Sequence, residues 1–158
     1  MQKAEGAALR ELHRGEPQSA NDDTARPTWK ELMEEVAAPD NVARAMKRVL
    51  ANRGSPGIDG MTVEELPAHW QRHEALLREQ LLAGSYKPTP VRRVTIPKSG
   101  GGERELGIPT VTDRLVQQAI LQVLGPRYDA GFSQHSHGFR PGHSAHAAVL
   151  EAQSYIQE

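Results

Sequence analysis

The sequence predicts a mostly helical α+β domain carrying one β-hairpin. Two patterns in the residues carry that expectation. Apolar side chains recur at helical spacing in five separate stretches, and strand-forming residues cluster in one pair of runs on either side of Ser99-Gly100-Gly101-Gly102. The composition supplies a third observation. A chain of 158 residues, 37% hydrophobic and 25% charged, has the size of about one domain and the balance of a soluble one. Aromatics are only 4%, so the core must rest on Leu, Ile, Val and Ala. The absence of Cys excludes a disulfide scaffold, a Cys-based zinc finger and a cysteine nucleophile. No apolar run approaches the roughly 18 residues of a membrane helix. With no apolar signal segment at the N-terminus, a cytoplasmic location and no membrane partner are expected.

Each element follows from local signals. Residues 1–27 are polar and are expected to form a flexible leader, with the folded unit over 28–158. Thr28 and Glu31 have capping-box spacing, and Trp29, Leu32, Met33 and Val36 share a helical face that Pro39 is expected to end. Asp40 or Asn41 is expected to cap a second helix bearing Val42, Ala45, Met46, Val49 and Leu50, stopped by Gly54. The run from Ser55 to Gly60 reads as a loop. A third helix runs from about Pro67 to Ala83, with Trp70, His73, Leu76, Leu77 and Leu81 inward and Gly84 closing it. Val91 to Ile96 and Glu103 to Ile108 are the two strands. Thr110 or Thr112 then caps a helix with Leu115, Val116, Ala119, Ile120, Val123 and Leu124, which Gly125-Pro126 is expected to interrupt. After a loop at 131–142, a last helix shows Ala145, Val149, Ala152 and Ile156 on one face and is still helical at Glu158. The chain reads as one that stops before its fold is complete.

The net charge of −1 argues against a nucleic-acid partner only until it is divided along the chain. Residues 1–83 carry a net −3 and residues 141–158 a net −2, whereas residues 84–140 carry a net +4. A local basic stretch binds phosphates even in a neutral chain. Within it, Lys98 and Arg104 flank the glycine-rich turn, a pattern suited to a polyphosphate. It is not a Walker loop, since it lacks Gly-Lys-Ser/Thr and leads into a strand. A four-residue loop sets Lys98 against Glu103; a five-residue loop sets it opposite Arg104 on one face. Arg114 and Gln117 share a helix face, which read by itself is an exposed polar stripe. His135, His137, His143 and His146 lack the spacing of a helical zinc site, so no metal site is expected. No paired carboxylates lie near the basic stretch, so no catalytic residue is expected in this chain.

Three ordered blocks then carry a family likeness. The first runs from Asn52 through Arg53, Gly54, Gly57 and Gly60 to Thr62. The second comprises Leu82 to Pro88, Val91 to Lys98 and Arg104 to Thr110. The third comprises Asp113 to Ile120 and Ser136-His137-Gly138-Phe139-Arg140-Pro141-Gly142. Together they resemble bacterial group II intron reverse transcriptases over about residues 29–158. The resemblance implies the fingers and the start of the palm of a right-hand polymerase with a reverse-transcriptase fold, truncated before the catalytic palm. It implies a parent RNA-directed DNA polymerase that also assists intron splicing as a maturase. The catalytic aspartates lie beyond these blocks, so the fragment is expected to be inactive alone, and Mg²⁺ is needed only in the complete enzyme.

By the same resemblance, Lys98 and Arg104 contact the triphosphate of the incoming dNTP. Asn52, Arg53, Gly54, Gly57, Gly60, Arg92, Arg114, Gln117, Ser136, Gly138, Phe139, Arg140 and Pro141 lie along the RNA. The implied partners are an RNA template, intron RNA, a DNA primer, and the palm and thumb of the same polypeptide. A non-catalytic RNA-binding remnant is the alternative. The chain departs from the family pattern at Glu105, where Pro is usual, placing an acid that is expected to pair with Arg104. It departs again at Gly125, His137 and His143, where Glu, Tyr and Arg are usual.

Overall fold

The computed structural model describes residues 27–157. The expected leader, apart from Pro27, lies outside the described residues. Five helices and one two-stranded antiparallel sheet follow in order, giving the mostly helical α+β architecture that the sequence predicts.

Helix α1 spans Trp29–Val36 and starts with the expected capping box: the Glu31 amide donates to Thr28 Oγ1 at 3.3 Å, and the Thr28 amide to Glu31 at 2.6 Å. The Thr28 amide, and then its hydroxyl, donate to the Glu31 carboxylate and hold it below its ordinary pKa. Met33 and Val36 are buried, but Trp29 stays 66% exposed, so the inward face is shorter than its apolar pattern.

Helix α1 ends at Val36 with its C-cap at Ala37, two residues before Pro39, as expected. Pro39 is the first residue of α2, Pro39–Asn52, where a missing N–H is harmless. Neither Asp40 nor Asn41 caps this helix, whose N-cap is Ala38 with no side-chain bond. Asn41 is instead buried as a cross-link. Its amide donates to the Val36 and Ala119 carbonyls, both at 3.0 Å. Its oxygen accepts from Gln122 at 2.8 Å and Arg44 at 3.2 Å. All four bonding positions of the amide are thus used, which is what makes its burial tolerable.

Helix α2 stops on Arg53, held at φ 46°, and not through Gly54. Gly54 serves a different need: a Cβ there would lie 2.2 Å from the Arg114 guanidinium. Helix α3, Leu66–Leu82, buries Leu66, Leu77 and Leu81, while Leu76 on the expected inner face remains exposed. Gly84 closes it at φ 66°, in agreement with the sequence.

Strands β1, Arg92–Pro97, and β2, Glu103–Ile108, form the hairpin. Helix α4, Val111–Asp129, is capped by Thr110, whose hydroxyl accepts from the Asp113 amide at 3.1 Å. Gly125-Pro126 does not interrupt it. The helix runs through Pro126 to Asp129: Val123 is buried one turn earlier, and Arg127 in the last turn pairs with Glu35 of α1 at 2.8 Å. Tertiary fit overrides the proline. The core lies chiefly between α2 and α4, with α1 and α3 against them, and is aliphatic: Val36, Ala45, Leu66, Val111 and Leu115 are at most 1% exposed.

Helix α5, Ala145–Gln157, makes no extensive contact with another helix or strand. Val149, Leu150, Tyr155 and Ile156 are all more than half exposed. Among the described residues no helix is long and apolar enough to cross a membrane.

Candidate nucleic-acid interface

The hairpin register pairs Ile96 with Arg104 and Pro97 with Glu103. Lys98 then lies opposite Gly102 and donates its amide to that carbonyl at 3.0 Å. The turn is therefore Ser99-Gly100-Gly101, shorter than either register expected from the sequence. Gly101 and Gly102 permit it by adopting φ 89° and 81°. Alternation puts Arg92, Val94 and Ile96 on one face with Arg104, Leu106 and Ile108. Lys98 continues that face, diagonal to Arg104 at about 7–8 Å between Cα atoms. The two exposed cations share a face without sitting opposite one another.

Glu105 falls on the other face. It pairs with Arg93 at 3.5 Å, and both side chains are well exposed. The expected pairing of Glu105 with Arg104 is thus not formed, because adjacent residues in a strand point apart. Arg104 keeps its charge for other contacts.

The base of the hairpin is fixed by Asp113, only 2% exposed. The carboxylate accepts from the Tyr86 hydroxyl at 2.6 Å, the Thr110 hydroxyl at 2.5 Å and the Thr89 amide at 3.2 Å. Asp113 therefore joins the segment that leads into β1 to the start of α4. Burial, and then the bond to Asp113, push the Tyr86 phenol well above its ordinary pKa. Of the polar face read at the start of α4, Gln117 is exposed and Arg114 half-buried.

Beside it, Arg114 donates to the Ser55 carbonyl at 2.8 Å and holds the loop after α2. Gly57 seats that loop against α4: a Cβ there would meet Thr110 Cα at 2.6 Å and the Pro109 carbonyl at 3.0 Å. Arg53 and Gly60 lie exposed on this loop, with Gly60 at φ 72°.

The α2–α4 surface carries a groove. At one end, Asn52, Arg114 and Gln117 line a cleft of about 240 Å³ together with Gln118 and Leu121. Three residues singled out from distant parts of the sequence thus meet. Gln118 and Leu121 also line the adjoining groove of about 950 Å³, which continues past Arg48 to Phe139. Tyr128, Phe132 and Phe139 all line it, and each is more than half exposed. Those are three of the chain's seven aromatic residues. Arg48, Tyr128 and Phe132 were not expected as site residues. The i, i+4 spacing of Arg48 and Asn52 on α2 was the available signal for the first.

The far wall is the loop from Gly131 to His143. Arg140 builds it. Its guanidinium donates to Asp129 Oδ1 at 2.7 Å and the Ser133 carbonyl at 2.7 Å, and to the Ser136 and Asp129 carbonyls at 3.0 and 3.1 Å. It also lies 5.5 Å from the centre of the Phe132 ring. The pairing with Arg140 holds the Asp129 carboxyl below its ordinary pKa. Phe139, between Gly138 and Arg140, is pushed outward at φ 57° and is fully exposed. For a bulky residue that backbone geometry is strained. Pro141 and Gly138 complete this wall, and Ser136 joins it through its carbonyl.

Two buried side-chain nitrogens lack a partner among the described residues: the Nε atoms of Arg92 and Arg114. Both arginines were singled out from the sequence. No group of three or more His, Cys, Asp or Glu among the described residues is placed to hold a metal ion. No step here runs through Mg²⁺.

No family model matches the chain. Individual proteins do. It is 41% identical over 120 residues to Protein YkfC of Escherichia coli (strain K12), covering 75% of this chain and 32% of that protein. It is 35% identical over 112 residues to the group II intron-encoded protein LtrA of Lactococcus lactis subsp. cremoris, covering 70% of this chain and 18% of LtrA. A stretch of 46 residues is 41% identical to nuclear intron maturase 1, mitochondrial, of Arabidopsis thaliana, covering 29% of this chain and 6% of that protein. The chain thus spans less than a third of YkfC and less than a fifth of LtrA. Together with the ordered blocks from Asn52 to Gly142, these matches show that the chain belongs to the family of group II intron-encoded proteins and intron maturases.

Proposed function

We propose that this segment is the RNA-binding and nucleotide-binding fingers portion of a group II intron reverse transcriptase/maturase. The observation that carries the proposal is the groove between α4 and the Gly131–His143 loop. In a chain with only 4% aromatics, three rings stand exposed there beside Arg48. Exposed rings stack on unpaired bases, and cations follow the backbone, which is how single-stranded RNA is held without reading its sequence.

In this reading template or intron RNA runs from the cleft at Asn52, Arg114 and Gln117 to Phe139. Arg114 and Arg140 act mainly by setting the walls, since their guanidinium groups are bonded to the protein. Arg53 and Gly60 border the path on the loop that Gly54 and Gly57 allow to dock. On the hairpin, Lys98 and Arg104 grip the triphosphate of an incoming dNTP, and Arg92 extends their face. Palm, thumb, Mg²⁺ ligands and the DNA primer belong to the complete polypeptide, which alone would polymerise.

Phe139→Ala tests the groove. It removes a ring that contributes nothing to the core, so folding should be unaffected. Fluorescence anisotropy with a labelled single-stranded RNA should show affinity lowered about fivefold or more. Unchanged affinity would contradict the proposed path.

A further inference from the structure

Glu151 lies on α5, apart from every residue assigned to RNA above, yet it is tied to the groove wall. Each of its carboxylate oxygens meets one histidine of the Gly131–His143 loop: Oε1 meets His135 Nδ1, and Oε2 meets His137 Nε2. The Tyr155 hydroxyl also donates to Oε1 at 3.1 Å. The other ring nitrogen of His137, Nδ1, lies 3.3 Å from His143 Nδ1. Glu151, His137 and His143 thus form a chain. With Glu151 accepting from Nε2–H of a neutral His137, the Nδ1 lone pair is left to accept from His143. The His137 side chain is 16% exposed and that of Glu151 27%, so water competes only partly.

The loop has two anchors. Arg140, near its end, ties it to α4 through Asp129. The histidines bind it to α5, a helix with no extensive contact to any other element. Between the anchors stands Phe139 at its strained φ of 57°. A residue in that conformation persists only where its surroundings over-determine it.

We propose that Glu151 is a positioning residue of the groove: by clasping His135 and His137 it fixes the loop that presents Phe139 to RNA. The inference rests on the groove reading given above. It also has a pH signature. The two histidines hold the Glu151 carboxyl down to about 2 from its ordinary 4.5. A depressed folded pKa contributes stability that is complete above pH 4.5 and is lost as pH falls toward 2. The groups around the clasp are Tyr155 on α5, Asp129 at the end of α4, and Arg140 and His143 on the loop.

The test uses the 158-residue chain as wild type, Glu151→Gln, His137→Gln and the double variant. The readouts are hydrogen exchange of the loop and anisotropy with labelled single-stranded RNA. Each single variant is expected to speed loop exchange and weaken RNA binding about threefold, and the double variant to add little, since both remove one interaction. Urea midpoints of wild type should fall more steeply between pH 4.5 and 2 than those of Glu151→Gln. Unchanged RNA affinity in Glu151→Gln, or losses that add in full, overturns the positioning role. Should Glu151→Gln fail to fold, unchanged affinity in His137→Gln overturns it instead. If the wild-type chain binds no RNA, the groove reading and the positioning role both fall. Loop exchange then still reports separately whether the clasp exists.

Discussion

Asp113→Ala is expected to destabilise the fold by about 3–4 kcal/mol, the largest stability effect of any single truncation considered. The carboxylate is 2% exposed and accepts three bonds, from Tyr86, Thr89 and Thr110. Alanine would leave two hydroxyls and one amide without their acceptor in a place water reaches poorly. Bonds to a charged acceptor contribute about 1.5–3 kcal/mol each, though losses within one network do not add. Against the roughly 5–15 kcal/mol that holds a domain together, this brings the chain close to unfolding. Tyr86→Phe removes one donor and leaves Asp113 its bonds from Thr89 and Thr110, so it should cost only about 1–2 kcal/mol. Urea unfolding followed by circular dichroism measures both. An Asp113→Ala midpoint equal to wild type would mean that the joint between the hairpin and α4 is not structural.

The largest effect on activity is expected at the hairpin, in a polypeptide that continues through the palm. Lys98→Ala combined with Arg104→Ala should lower kcat/KM for dNTP about 100-fold or more in primer extension, and each single change about tenfold. In the proposed assignment, two cations on one face would meet a polyphosphate whose charge must be balanced. Glu105→Gln serves as the internal control. Its carboxylate faces away and pairs with Arg93, so removing its charge should change kcat/KM less than twofold. A strong gain on Glu105→Gln would instead place that acid against the nucleotide. Unchanged kinetics in the double variant, with RNA binding intact, would favour the non-catalytic RNA-binding alternative.

Local signals in the sequence located most elements. The capping box at Thr28, the turn at Ser99-Gly102, the cap at Thr110 and the stop at Gly84 all depend on neighbouring residues, and all were legible. What was not legible depended on distant partners. Asn41 reads as a helix cap until Ala119 and Gln122 surround it. Gly54 reads as a helix stop until Arg114 crosses over it. Gly125-Pro126 reads as a break until Val123 and the Glu35–Arg127 pair hold the end of α4 in place.

The candidate interface divides along the same line. The motif blocks pointed to Asn52, Arg114 and Gln117, which the fold does gather. Only helical spacing to Asn52 marked Arg48, nothing local marked Tyr128 and Phe132 as their neighbours, and nothing local showed that the Arg140 guanidinium is bonded to Asp129 and to its own loop. The hairpin register turned on one residue. A three-residue turn sets Lys98 opposite Gly102 and so diagonal to Arg104 on one face, which the sequence, with its longer turns, did not show.

The most direct test of the account is the affinity of the 158-residue chain for single-stranded RNA measured across a salt series. If the groove and basic face neutralise three or four phosphates, log Kobs should fall linearly with log salt, with a slope of about −2 to −3. Binding that is absent at low salt, or that does not change with salt, would contradict the assignment of this surface to RNA.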